Sequence, residues 1–256
     1  MARTHPKFTR LYIDGYDLST YTAQIGESGA EFDAAECIAL SDECKNYLLG
    51  QPQISFGPVN GFLAPAVATG LHELMSPITT GAHNVMMAIG VGAIPAAGNP
   101  VFAWPMSQAS YKGAPGDGVV AANIEFGGAD YSLLPAGYNN PWGVLLHANS
   151  AETAVNTAIG IDDNGAASAL GGVFSYQILS SNGTVTVKAQ DAAVNNDGGF
   201  ADLSGATSGS VNASVTPKSG CVAIGVAATV RRYLRWQIVF GTATTVTFLC
   251  SFSRKI

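Results

Sequence analysis

The feature that most restricts this chain is its punctuation. Short runs of alternating or β-branched residues recur along its length, separated by turn-forming segments rich in glycine, proline and asparagine. Thirty glycines and twelve prolines are spread through 256 residues, and both residue types interrupt helices. That excludes a helical bundle and points to a mainly β fold. The segment Thr244-Thr245-Val246-Thr247-Phe248-Leu249-Cys250 has the β-branched and aromatic content of a well-packed strand. In residues 184–190, Val185, Val187 and Ala189 fall on one face, with Thr184, Thr186 and Lys188 on the other. Strands and turns at this spacing fit a β-sandwich or small barrel.

Read along the chain, residues 8–13 form an opening strand closed by an Asp14-Gly15 turn. A long acidic excursion occupies residues 26–50. Ser41 as cap, Asp42 and Glu43 in a first turn and Gly50 just past the end predict one short helix in it. Residues 53–63 alternate like a strand, and residues 70–76 predict a turn or two of helix ended by Pro77. Strands are expected at 84–91, 101–111 and 119–126. Gly127 to Pro141, rich in Gly, Pro, Asn and Tyr, reads as a linker. The resulting division is a first β domain at 1–130, a linker at 131–141 and a second β-sandwich domain at 142–256.

In that second half, residues 172–179 and 183–190 are expected to form a hairpin through Ser180-Ser181-Asn182-Gly183. Further strands are expected at 211–215, 222–226, 233–240 and 244–252. Gly70-Leu71-His72 with its short helix recurs loosely as Leu145-Leu146-His147 before a helix at 148–157. The second half is therefore either a duplicate of the first or a different module.

Charge narrows the function. Only 12% of residues are charged, against about 25% in an ordinary soluble domain. With 47% hydrophobic residues the chain is not disordered. Its longest apolar stretch, residues 85–98, is broken by Pro95 and falls short of the about 20 residues a spanning helix needs. A mean hydropathy of +0.22 without such a span implies that much of the exterior meets other protein. Twelve basic and eighteen acidic residues leave a net charge of −6. No basic stripe exists to neutralise phosphates, which excludes a nucleic-acid reader.

The two signs are segregated. Glu27, Glu31, Asp33, Glu36, Asp42 and Glu43 crowd the acidic excursion, whereas Arg231, Arg232 and Arg235 cluster near the end. Strand alternation puts Arg231, Tyr233, Arg235 and Gln237 on one face. That face is either solvated on an edge strand or an inter-subunit ion-pair surface meeting the acids, a role suited to the planar arginine fork.

Catalysis finds no support. The nearest approach to a nucleophile elbow, Gly205-Ala206-Thr207-Ser208-Gly209, lacks the G-x-S-x-G frame. His72 and His147 read as structural histidines. There is no H-E-x-x-H, P-loop or G-x-G-x-x-G. Asp162-Asp163-Asn164-Gly165 lacks the downstream glutamate of a calcium loop. Asn182-Gly183-Thr184 and Asn212-Ala213-Ser214 match the glycosylation sequon but read as hairpin residues. Cys37, Cys44, Cys221 and Cys250 show no ligand spacing and read as buried thiols of a reducing cytosol. No cofactor or metal is expected, and no secretory leader.

Several segments resemble tail tube (major tail) proteins of long-tailed bacteriophages. They are Leu11-Tyr12-Ile13-Asp14-Gly15-Tyr16-Asp17-Leu18-Ser19, the acidic stretch through Tyr47-Leu48-Leu49-Gly50, Val59-Asn60-Gly61-Phe62-Leu63, and Gly116-Asp117-Gly118 with the strand after it. The resemblance covers residues 8–130; the second half is similar to β-sandwich modules of phage virion proteins. It implies a non-enzymatic virion protein that stacks as hexameric or trimeric, pseudo-hexameric rings into a tube and meets other tail proteins. DNA would pass down the bore without specific binding, and assembly would occur in the host cytoplasm without a membrane. The competing reading is a capsid decoration or fibre protein with a carbohydrate-binding-like sandwich.

Overall fold

Strands account for nearly all regular structure in the computed structural model, which describes residues 5–37, 46–64, 70–78, 81–116, 119–129, 140–162 and 166–255. The first half carries β1 (Thr9–Ile13), β2 (Tyr16–Asp17), β3 (Thr22–Ile25), β4 (Gly29–Cys37), β5 (Asn46–Ser55) and β6 (Val59–Phe62). After α1 (Leu71–Met75) come β7 (Ala82–Ile89), β8 (Pro100–Pro115) and β9 (Val120–Ala129). The second half carries β10 (Trp142–Glu152), β11 (Ile161–Asp162), β12 (Gly172–Ser181), β13 (Thr184–Ala192) and β14 (Ala201–Thr207). It closes with β15 (Val211–Asn212), β16 (Lys218–Ile224), β17 (Tyr233–Phe240) and β18 (Val246–Arg254).

Among the described residues these strands form three sheets. An eleven-stranded sheet runs β16-β12-β18-β10-β8-β7-β1-β2, with β9, β6 and β3 continuing from β8. A five-stranded sheet, β11-β17-β13-β14 with β15 beside β13, covers part of it. Strands β4 and β5 pair with each other as a separate two-stranded sheet.

The large sheet passes through both halves at β10. Trp142, Gly143 and Val144 pair with Phe102, Val101 and Pro100 of β8, and Val144 also pairs with Phe252 of β18. Gly143 suits this seam because a Cβ there would meet the Phe252 carbonyl and the Ser253 backbone within contact distance.

Three apolar cores follow from the alternation of side chains. Leu146, Phe174, Ile178, Phe248 and Phe252 meet Val185, Val187, Leu234 and Ile238 between the two large sheets. Leu11, Ile13, Phe56, Val59, Leu71, Phe102 and Trp104 fill the curl of the first half, joined by Val173. Tyr12, Met86, Ala88, Val101, Leu145 and Leu249 form a third core on the reverse face. Ile94 and Pro95 of the β7–β8 loop line a small cleft over it. With both faces covered, β7 reads as a continuous apolar run rather than an alternating one.

Three expectations are corrected. Residues 46–50 are strand, not helix, because β5 pairs with β4 from Cys37↔Asn46 to Gly29↔Ser55, with one register shift between Phe32 and Ala34. A helix of that length is marginal alone, and the ladder gives its backbone better partners. Ser41, Asp42 and Glu43 lie outside the described residues. Residues 148–152 continue β10, drawn out by pairing with β18, and residues 153–157 are not helical. The Ser180-Ser181-Asn182-Gly183 segment is not a hairpin: β12 lies in the large sheet and β13 in the smaller one, so the chain crosses the sandwich there. Of the linker at 131–141, only Asn140 and Pro141 lie within the described residues.

Candidate assembly interface

The arm β4–β5 carries the acids singled out by sequence. Glu31 and Glu36 are exposed on β4, and Glu27 is exposed just before it. Asp33 sits on β4, although its side chain is not among those described; Asp42 and Glu43 fall outside them. Phe32 is 46% exposed beside these acids. The base of the arm is fixed where Ile54 enters the first-half core and the Gly57 amide donates to Ser28 Oγ at 3.1 Å.

The arginine strand belongs to the five-stranded sheet, a different sheet from the arm. Leu234, Trp236 and Ile238 face the sandwich core, as the alternation required. Arg235, on the other face, is only 6% exposed. Its Nε donates to Gln190 Oε1 at 2.8 Å and its Nη1 to the Ala158 carbonyl at 2.8 Å and Asp197 Oδ1 at 2.6 Å. Gln190 Nε2 donates onward to Asp202 Oδ1 at 2.8 Å, while Lys188 Nζ reaches Asp202 Oδ2 at 2.7 Å. The Lys188 contact, followed by that of Gln190, holds the Asp202 carboxyl below its ordinary pKa.

Arg235 is thus a structural group inside the chain. Arg232 is exposed and pairs with Asp162 at 2.7 Å. Arg231 is also exposed, its amide donating to Asp191 Oδ2 at 2.8 Å.

Two histidines are buried in polar clusters: His147, read from the sequence as structural, and His83, which the sequence reading missed. His147 stacks on Phe248 with ring centroids 4.1 Å apart and meets Trp236 edge-on. Its Nδ1 faces the Phe248 carbonyl at 3.1 Å, whereas Ser150 Oγ at 3.2 Å and Glu152 Oε1 at 2.9 Å both approach Nε2. A hydrolase relay places hydroxyl and acid on opposite ring nitrogens, so this cluster has a different layout. Burial pushes the His147 pKa down against the opposing pull of Glu152. His83, on β7, lies between Asp14 and Gln108. The signal available for it was slight: one histidine on an apolar strand, with nothing local to name its partners.

His72 Nδ1 contacts the Tyr111 hydroxyl at 3.0 Å. Ser175 Oγ donates to Cys221 Sγ at 3.2 Å, and burial pushes that thiol up to about 12. Burial also raises the Cys250 thiol pKa. Among the described residues no group of three or more His, Cys, Asp or Glu side chains gathers as a metal set. No helix among them is long and apolar enough to cross a membrane.

No known protein family matches the chain, and no curated protein matches it. Among solved structures, it is similar to the Dit protein of phage SPP1, described as a paradigm of the hub adsorption apparatus in phages infecting Gram-positive hosts. The likeness covers 96% of this chain and 98% of that one at 10% identity, with a TM-score of 0.34. A likeness this loose fixes neither fold nor role.

Proposed function

We propose that this chain is a non-enzymatic structural subunit of a bacteriophage tail, polymerising as stacked rings into a tube through which DNA leaves. The observation that carries the reading is the arm. Among the described strands, β4 and β5 pair only with one another, and a two-stranded sheet is marginal in water without a surface to pack against. The arm presents exposed acids and an exposed Phe32. Arg231, exposed on the other half, has the complementary charge for a neighbouring copy. Exposed Phe62, Val91, Ile94 and Val120 add apolar area that contact between subunits would remove from water.

The ring is hexameric, or trimeric if both halves contribute equivalent wall. A net charge of −6 suits a bore that repels phosphate rather than binding it. Other tail proteins would meet the ends of the tube, and the subunits would assemble in the host cytoplasm before joining the virion. The two-sheet sandwich of the second half keeps a capsid decoration or fibre role as the second reading. Negative-stain microscopy of concentrated purified chain separates the two: hollow tubes support the first, dispersed particles the second.

A further inference from the structure

Both ring nitrogens of His83 face oxygen acceptors. Nδ1 is 2.6 Å from Asp14 Oδ2, and Nε2 is 3.2 Å from Gln108 Oε1. The Gln108 amide is oriented by its own Nε2, which donates to the Met75 carbonyl at 2.7 Å, so its oxygen is turned to the ring. A neutral imidazole has one donor and leaves one of these acceptors facing a lone pair; an imidazolium satisfies both.

Asp14 in turn holds the junction between the halves. It sits at φ +53°, in the left-handed region that Asp tolerates better than most residues. Its Oδ1 accepts the Asn84 amide at 2.8 Å, and its own amide donates to the Asn84 carbonyl at 3.2 Å. The same carbonyl accepts Gln177 Nε2 of β12 at 2.8 Å, while Asn84 Nδ2 donates to Ser219 Oγ of β16 at 3.1 Å. The Gly15 amide donates to Gln177 Oε1, closing the loop.

We propose that His83 is a charged pin: an imidazolium that fixes the Asp14 turn to β8 and the end of α1, and whose loss of a proton as pH rises loosens the junction between the two halves. The groups facing it are few among the described residues. Asp14 supplies the negative charge from the β1–β2 turn. Gln108 of β8, the Met75 carbonyl of α1 and Gln177 of β12 are neutral. On β16, Cys221 senses the Asp14 charge, but with a pKa near 12 it stays protonated; Lys218 there is exposed. On α1, Glu73 is exposed and His72 is engaged by Tyr111.

The direction of the shift agrees. The Asp14 hydrogen bond pushes the His83 pKa above its ordinary 6.5, with burial opposing. A raised folded-state pKa contributes stability that is complete below 6.5 and lost as pH rises through the folded value.

The test uses the full chain. Imidazole C2 hydrogen exchange of the His83 peptide, read by mass spectrometry across pH, gives the ring's titration. Amide exchange in peptides covering 9–16 and 82–89 reports the junction. The proposal expects His83 to titrate above 6.5. As it does so, those amides should lose protection beyond the intrinsic pH effect, as the imidazolium's contribution to stability disappears. In His83→Gln that extra fall should vanish. A ring that titrates at or below 6.5, or one that titrates without altering those amides, overturns it. The unsubstituted chain decides the matter even if the variant does not fold.

Discussion

Arg235 lies over Phe200, its guanidinium carbon 4.4 Å from the ring centroid, while Asp197 closes on it from the side. The ion pair itself contributes little, since Asp197 is 58% exposed. What matters is the Gln190 oxygen, which would lose its buried donor. Arg235→Ala should therefore lower the unfolding free energy by about 1–3 kcal/mol. Arg231→Ala, at an exposed position, should stay within about 0.5 kcal/mol of the parent. Urea denaturation of both variants checks this, and equal losses would contradict it.

Gly143 stands where the two halves share one sheet, with no room for a side chain against the Phe252 carbonyl. Gly143→Val should cost about 1–3 kcal/mol through forced backbone movement. The loss should appear as a lower thermal midpoint, with early proteolytic cleavage near residue 142. A variant as stable as the parent would show that the seam tolerates being prised apart.

His147 gives stability the opposite pH dependence to His83. Burial depresses its folded-state pKa below the ordinary 6.5. Its contribution is therefore complete above 6.5 and lost as pH falls through the folded value. Denaturation curves from pH 7.5 to 5 should show a decline that is smaller in His147→Gln. Parallel declines in the two proteins would assign the acid sensitivity to other groups.

Where local periodicity and burial coincide, the sequence was legible. Tyr233–Phe240 stands as expected, and Val185, Val187 and Ala189 face the core. The failures share a cause, namely partners distant in sequence. Asn182 and Gly183 carry hairpin chemistry but use it on the neighbouring crossover. Asn182 Oδ1 accepts the Thr244 and Thr245 amides at 2.8 and 3.1 Å, and Gly183 leaves room for the backbone of Thr242 and Ala243. Strand β5 overrode a helix signal because β4 offered a ladder. The Arg235 face was read correctly as a face, yet Ala158, Asp197 and Phe200, which cover it, come from loops that no strand period reveals.

Ala30 and Ile54 are ladder partners, so a two-residue Asn-Gly turn in place of residues 31–53 should close the strands and leave the core residue Ile54 in position. Electron microscopy of the full chain and this armless variant, side by side at rising concentration, bears most directly on whether the subunit is completed by its neighbours. Hollow tubes are expected from the full chain, and folded, dispersed particles from the variant. A full chain that stays monomeric at every concentration, or an armless chain that builds tubes of normal length, would contradict it.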